Sequence, residues 1–168
     1  MANITHEPLK GSNMISKLLV ANRGEIARRI LRSCREQGVE TVAVYSGVDA
    51  NLPHVTEADE AVCLGPARAA DSYLNTDKLL QAARDTGAQA IHPGYGFLSE
   101  NPDFVDACRE AGLIFVGPSA DSIRLMGDKA AARQRMADSG VPVLPGLDEP
   151  AADDAALRSA ASEIGFPL

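Results

Sequence analysis

The chain has 168 residues, 45% hydrophobic and 23% charged, with a formal net charge of −7. That composition fits one ordinary globular domain with little left over. Its acidic balance argues against a nucleic-acid-binding face, and no apolar run approaches the roughly 20 residues of a membrane-spanning helix.

Met1 to Asn13 has neither an apolar core nor an Arg, so it reads as neither a signal nor a transit peptide. Residues 1–14 are expected to be a disordered leader, with Met14 an alternative start. Lys17-Leu-Leu-Val-Ala21, ended by Asn22 and Gly24, suits a buried parallel strand. Residues 25–36 then carry helical period. Ile26, Ala27, Ile30, Leu31 and Cys34 form the inward stripe, with Arg28, Arg32, Arg35 and Glu36 mostly opposite. Thr41-Val-Ala-Val-Tyr45 is a second strand, Ser46 to Asp59 has loop chemistry, and Ala61-Val-Cys-Leu64 is a short third strand. Asn75 or Thr76 caps a helix through Arg84 that Gly87 closes.

Ala88-Gln-Ala-Ile-His92 leads into Pro93-Gly-Tyr-Gly96, and Asn101-Pro102 opens a helix to Ala111 that packs Phe104, Val105 and Cys108. Leu113-Ile-Phe-Val116 is a last strand. Beyond Ser119 the pattern is helical: Asp121 to Met126, then Asp128 to about Ser139 with Ala132 and Met136 inward. A rigid linker at Val141–Gly146 precedes an acidic helix at Glu149–Ile164. Alternating strands and helices over the first 118 residues predict an α/β fold with a doubly wound parallel sheet.

Several residues are candidates for chemistry. The loop after His92 leaves the carboxyl end of a strand, where open α/β sheets place ligands. The same Gly and Pro pattern also serves a turn that binds nothing. Imidazole at His92 suits either acid–base work or support of the loop from behind. One glycine in Ala21-Asn-Arg-Gly-Glu-Ile-Ala27 is not a dinucleotide fingerprint, and it reads either as an anion-holding helix start or as an architectural turn. Lys129, in the first turn of its helix, suits a phosphate through its charge and nearby free amides, or is simply an exposed lysine. Arg32 and Glu36, one turn apart, are either an exposed pair or a subunit contact. Cys34, Cys63 and Cys108 lack the spacing of a disulfide framework or zinc site, so buried free thiols in a reducing compartment are expected. His6 falls in the leader and His54 in a surface loop, and neither points to a metal site.

Three segments in order, Ala21-Asn-Arg-Gly-Glu-Ile-Ala27, Ala90-Ile-His-Pro-Gly-Tyr-Gly-Phe-Leu-Ser-Glu-Asn101 and Arg124-Leu-Met-Gly-Asp-Lys129, resemble the amino-terminal part of the biotin carboxylase family. The resemblance runs from about Lys17 to Gly146 and continues weakly to Leu168. It implies a Rossmann-like domain over residues 15–118 and, over 119–168, the helical start of an incomplete ATP-grasp domain. It also implies an enzyme that carboxylates biotin with bicarbonate and MgATP (or the Mn2+ complex), working with a biotin carboxyl carrier and a carboxyltransferase. By the same resemblance Lys129 contacts ATP phosphate, Tyr95 and Gly96 line the biotin pocket, and Arg32 and Glu36 lie at a homo-oligomer contact. The magnesium carboxylates and glycine-rich ATP lid of the family have no counterpart in these residues. No catalytic residue, no metal ligand and no tight cofactor binding are therefore expected of this portion alone. A cytoplasmic location is expected. The competing reading is a stand-alone, non-catalytic module that binds a nucleotide or pairs with a full-length carboxylase.

Overall fold

A computed structural model describes residues 15–144, 146 and 152–165. The expected leader and the expected start of the last helix, residues 149–151, lie outside the described residues. The elements in order are β1 (Lys17–Val20), α1 (Gly24–Glu36), β2 (Glu40–Ser46), α2 (Pro53–Glu57), β3 (Glu60–Gly65), α3 (Thr76–Thr86) and β4 (Ala90–His92). They continue as α4 (Pro102–Glu110), β5 (Ile114–Phe115), α5 (Ala120–Gly127), α6 (Lys129–Asp138) and α7 (Asp154–Ile164). Two compact units result. The larger holds the described residues to Ser99 with Phe104–Gly117, and the smaller holds Glu100–Asp103 with the described residues from Pro118 onward.

The larger unit is built on one parallel sheet in the order β3-β2-β1-β4-β5. Side chains alternate across β1, so the strand feeds two cores. Leu18 and Val20 pack with Ile26, Ala27, Ile30, Leu31 and Cys34 of α1. Leu19 and Ala21 pack on the other face with Leu79 and Ala83 of α3 and Phe104 and Cys108 of α4. Helices covering both faces make the sheet doubly wound, as its apolar strands require. The stripe expected on α1 is the one buried, and Asn75 caps α3 by accepting from the Lys78 amide at 3.0 Å. Gly87 closes α3 with φ 67°.

Four expectations need correction. Ser46 to Asp59 is not all loop, because a 3-10 turn at Gly47–Asp49 and helix α2 lie within it. Pro53 at the first helical position starts α2, and five residues are too few to show a period. His54 is consequently fully buried rather than on the surface, with Nε2 3.3 Å from the Val44 carbonyl oxygen. Cys63 is exposed while Cys34 and Cys108 are buried, because β3 is an edge strand with one partner. The fifth strand is only Ile114–Phe115.

In the smaller unit, Asp128 caps α6 and Asp153 caps α7, but neither helix fully buries a residue. Ala132 and Met136 are half-buried, and so are Ala161 and Ile164 of α7, whereas Leu157 is 52% exposed. The two units should therefore differ in sensitivity to truncation. Leu19→Ala is expected to lower the unfolding free energy by about 2–5 kcal/mol, the range for a filled core position. Leu157→Ala is expected to change it by about 0.5 kcal/mol or less. Urea denaturation of the two variants checks the contrast.

Candidate ligand-binding site at the strand switch point

The strand order reverses direction between β1 and β4, which makes their carboxyl ends the switch point of the sheet. Crevices form there because the loops leaving the two strands diverge to opposite faces. Val20 pairs with His92, and the Ala21 amide extends the ladder by donating to the His92 carbonyl oxygen at 2.9 Å. The two loops therefore start side by side.

Asn22 ties them together. Its side-chain Nδ2 donates to the Pro93 carbonyl oxygen at 2.7 Å and to that of Tyr95 at 2.8 Å, and its Oδ1 accepts from the Arg23 amide at 2.9 Å. It is only 4% exposed. Gly94 turns beneath it with φ 67°, and a Cβ there would meet Nδ2 at 2.8 Å. Here glycine is required twice, for the backbone angle and for the close approach. From the other side the Gly94 amide donates to His92 Nδ1 at 3.0 Å. That bond makes Nδ1 an acceptor, so the imidazole is neutral and supports the loop. Burial pushes the His92 pKa below its ordinary value, and the Arg29 charge adds to this.

Beyond Asn22 the loop rises into solvent. Tyr95 is 60% exposed, and its hydroxyl donates to the Glu25 carboxylate at the start of α1. That bond raises the phenol above its ordinary pKa. Gly96 follows with φ 66°, then Phe97 with φ 43°, the one non-glycine residue of positive φ among the described residues. An aromatic residue in this region carries a strain of about 1–3 kcal/mol, so something outside the loop must hold it. Two hollows meet at Tyr95 and Ile26. One of about 400 Å³ is lined by the β1 loop, Gly96 and Phe97. The other, about 750 Å³, runs from His92, Gly94 and Val116 along Arg29 and Ile30 of α1 to Gly38 and Val39 at the opposite end of the strands. Such an apolar cleft with a few convergent polar groups is ligand-site architecture.

The remaining candidates lie elsewhere. Arg32 and Glu36 are both exposed on α1, and no ion pair joins them. Arg28 is instead paired with Glu57 of α2 at 2.6 Å. Lys129 is exposed in the first turn of α6 within the smaller unit. The free amides expected beside it are not free, because the Asp128 carboxylate accepts from Ala130 and Ala131, each at 3.0 Å. Lys129 thus offers a point charge without those two donors. Two features escaped the sequence reading: the bridge made by Asn22, and a buried cluster of Asp49, Tyr73 and Ser46 that the exposed Arg23 closes from outside. Asn22 shows as a strand-ending residue, whereas its carbonyl partners lie 71 and 73 positions away.

An open α/β sheet with its loops gathered at the switch point defines the class of fold, a scaffold for a small-molecule site. The chain belongs to the biotin carboxylase family: residues 14–123 match the family model described as "Biotin carboxylase, N-terminal domain". It is 54% identical over 156 residues to the biotin carboxylase of Haemophilus influenzae, covering 92% of this chain and 35% of that protein. It is 51% identical over 154 residues to the mitochondrial methylcrotonoyl-CoA carboxylase subunit alpha of Dictyostelium discoideum, covering 92% of this chain and 22% of the relative. The chain thus spans about a third, or less, of the length of these relatives. Among solved structures, a Campylobacter jejuni biotin carboxylase–β,γ-ATP complex superposes with a TM-score of 0.88 at 45% identity, over 92% of this chain and 34% of that one. The biotin carboxylase domain dimer of Hydrogenobacter thermophilus 2-oxoglutarate carboxylase, in complex with MgADP, ADP and bicarbonate, gives 0.87 at 46% identity over 92% and 34%.

Two outcomes follow from this geometry. Asn22→Asp replaces the donor with a carboxylate facing two carbonyl oxygens, so a loss of about 2 kcal/mol or more is expected in urea denaturation. Separately, burial is the main cause lowering the pKa of both His54 and His92. The folded state then resists protonation, so their contribution is full above the ordinary histidine pKa of about 6.5 and is lost as pH falls below it. Proton NMR should place both midpoints below about 6.5, with unfolding free energy falling from pH 7 toward pH 5. Midpoints at or above that value would contradict the assignment.

Proposed function

We propose that this chain is the amino-terminal portion of an ATP-dependent biotin carboxylase, a carbon–nitrogen ligase that forms carboxybiotin from biotin, bicarbonate and MgATP. The observation that carries the reading is the loop Pro93–Phe97, held at the switch point of a sheet whose family membership is established. In this reading Tyr95 and Gly96 form one wall of the biotin pocket. Gly96 lets backbone approach the ligand, because nothing lies within 4 Å of where its Cβ would be. Tyr95 supplies a flat ring with a polar tip, fixed by Glu25.

Lys129 serves ATP phosphate as a point charge. Its ammonium is exposed and makes no hydrogen bond or ion pair among the described residues, which leaves it available to an anion. The nucleotide supplies the phosphoryl group that activates bicarbonate, and the metal that accompanies it needs carboxylates beyond these residues. Residues 119–168 begin the ATP-grasp portion. Arg32 and Glu36 face a second carboxylase subunit, and the carboxylated biotin is passed on through a carrier and a carboxyltransferase. The setting is cytoplasmic.

The test uses the complete carboxylase that carries this segment. Lys129→Ala should raise the KM for ATP about tenfold or more, the loss of one charge-assisted contact, and leave the KM for biotin unchanged. Gly96→Val should do the opposite. The 168-residue chain alone should release no phosphate in a biotin-dependent way from MgATP and bicarbonate. Biotin-dependent turnover by that chain, or wild-type kinetics in both variants, would overturn the reading.

A further inference from the structure

Asn22 reaches the Pro93 and Tyr95 carbonyls, but it makes no hydrogen bond to Gly96 or Phe97. Three of the four residues from Gly94 to Phe97 have positive φ; the two glycines adopt it freely, but at Phe97 local preference opposes it. The far end of the loop is held by an aromatic stack. The Tyr73 and Phe97 rings lie 5.0 Å apart between centroids and 11° from parallel. Tyr73, unlike Phe97, is anchored at its tip. Its hydroxyl donates to Asp49 Oδ2 at 2.6 Å and accepts from the Ser46 amide at 2.9 Å.

The Asp49 carboxylate is itself fixed. Oδ2 also accepts from Ser46 Oγ at 2.8 Å, and Oδ1 accepts from Arg23 at 3.2 Å. Arg23 then returns over the Tyr73 ring, its guanidinium carbon 5.8 Å from the centroid. Asp49, Ser46 and Tyr73 are all buried. Burial pushes the Tyr73 phenol up to about 12, and the bond to Asp49 adds to it. Burial alone would raise Asp49, but the bonds from Tyr73 and Ser46 together with the Arg23 charge hold it below its ordinary value. The pair is therefore a neutral phenol donating to a carboxylate at neutral pH. The ends of β1 and β2 and the segment after β3 thus meet at one ring, and that ring carries Phe97.

We infer that Tyr73, clamped by Asp49, is a positioning residue for the candidate biotin loop: it holds Phe97 in its left-handed conformation and so fixes the Gly96 peptide and the Tyr95 ring. The inference rests on the reading of that loop as a biotin wall. It adds two residues that touch no ligand and act only through Phe97.

The first test uses the 168-residue chain and amide hydrogen exchange. Ser99 N–H donates to the Gly96 carbonyl oxygen at 2.9 Å and reports on the loop. Tyr73→Leu should speed exchange at Ser99 by about tenfold or more while the β1 amides keep their protection. Tyr73→Phe, which keeps the ring but loses its bonds to Asp49 and Ser46, should fall between wild type and Tyr73→Leu, and wild-type exchange there would remove Asp49 from the inference. Phe97→Leu removes the stack from the half-buried side and should match Tyr73→Leu, so it gives the answer if Tyr73→Leu does not fold. Unchanged exchange at Ser99, or equal acceleration in β1, would overturn the inference by showing no role or a merely structural one. The second test reads KM in the complete carboxylase, where Tyr73→Leu should raise that for biotin about fivefold or more and leave that for ATP unchanged. If Gly96→Val raises the biotin KM and Tyr73→Leu does not, the positioning role fails alone. If Gly96→Val leaves it unchanged, the reading of the loop itself fails.

Discussion

One side-chain amide organises the carboxyl edge of this sheet. Asn22 Nδ2 serves two carbonyl oxygens of the opposite loop at once, from a position closed to solvent. The Pro93 carbonyl would otherwise be buried and unsatisfied, which costs more than the bond itself contributes, while the part-buried bond to Tyr95 sets where the crest of the loop begins. Gly94 exists at its position because that amide lies so close. The neutral His92 ring holds the same turn from behind. Backbone pairing of β1 with β4 brings the loops together, and Asn22 makes them one structure.

Around that bridge, rigid and open surfaces are separated. The base of the loop is held through the Pro93 carbonyl and the Gly94 amide, whereas Tyr95 and Gly96 face solvent at its crest. A ligand wall needs this arrangement, since a site is only as well placed as the shell that supports it. The strained backbone at Phe97 fits the same logic. A left-handed aromatic residue persists where its surroundings over-determine it, and here they do so through the ring of Tyr73. The smaller unit is different: its helices are capped by Asp128 and Asp153 but fully bury no residue of α6 or α7.

What could be read from the sequence followed the range of the interactions. The stripe of α1, the Asn75 cap and the Gly87 stop are set by neighbours within a turn or two, and all three are legible. Helix α2 was not, because five residues opened by Pro53 just after the turn residues Gly47, Asp49 and Asn51 carry no period. His54 was misplaced for the same reason. The thiol of Cys63 depended on strand order, which alone makes β3 an edge. At the site, Tyr95 and Gly96 stood out by their glycine-rich setting. Asn22 and the Asp49–Tyr73 pair did not, since their partners lie 71, 73 and 24 residues away. The motif around Lys129 showed the lysine but not that Asp128 would occupy the amides beside it.

The central claim is that the loop held by Asn22 is one wall of a biotin site. A crystal structure of the complete carboxylase with biotin and bicarbonate tests it most directly. The account predicts biotin in van der Waals contact with the Gly96 backbone and the Tyr95 ring, with both Asn22 bonds intact. Biotin bound away from this loop, with Tyr95 and Gly96 open to solvent, would contradict it.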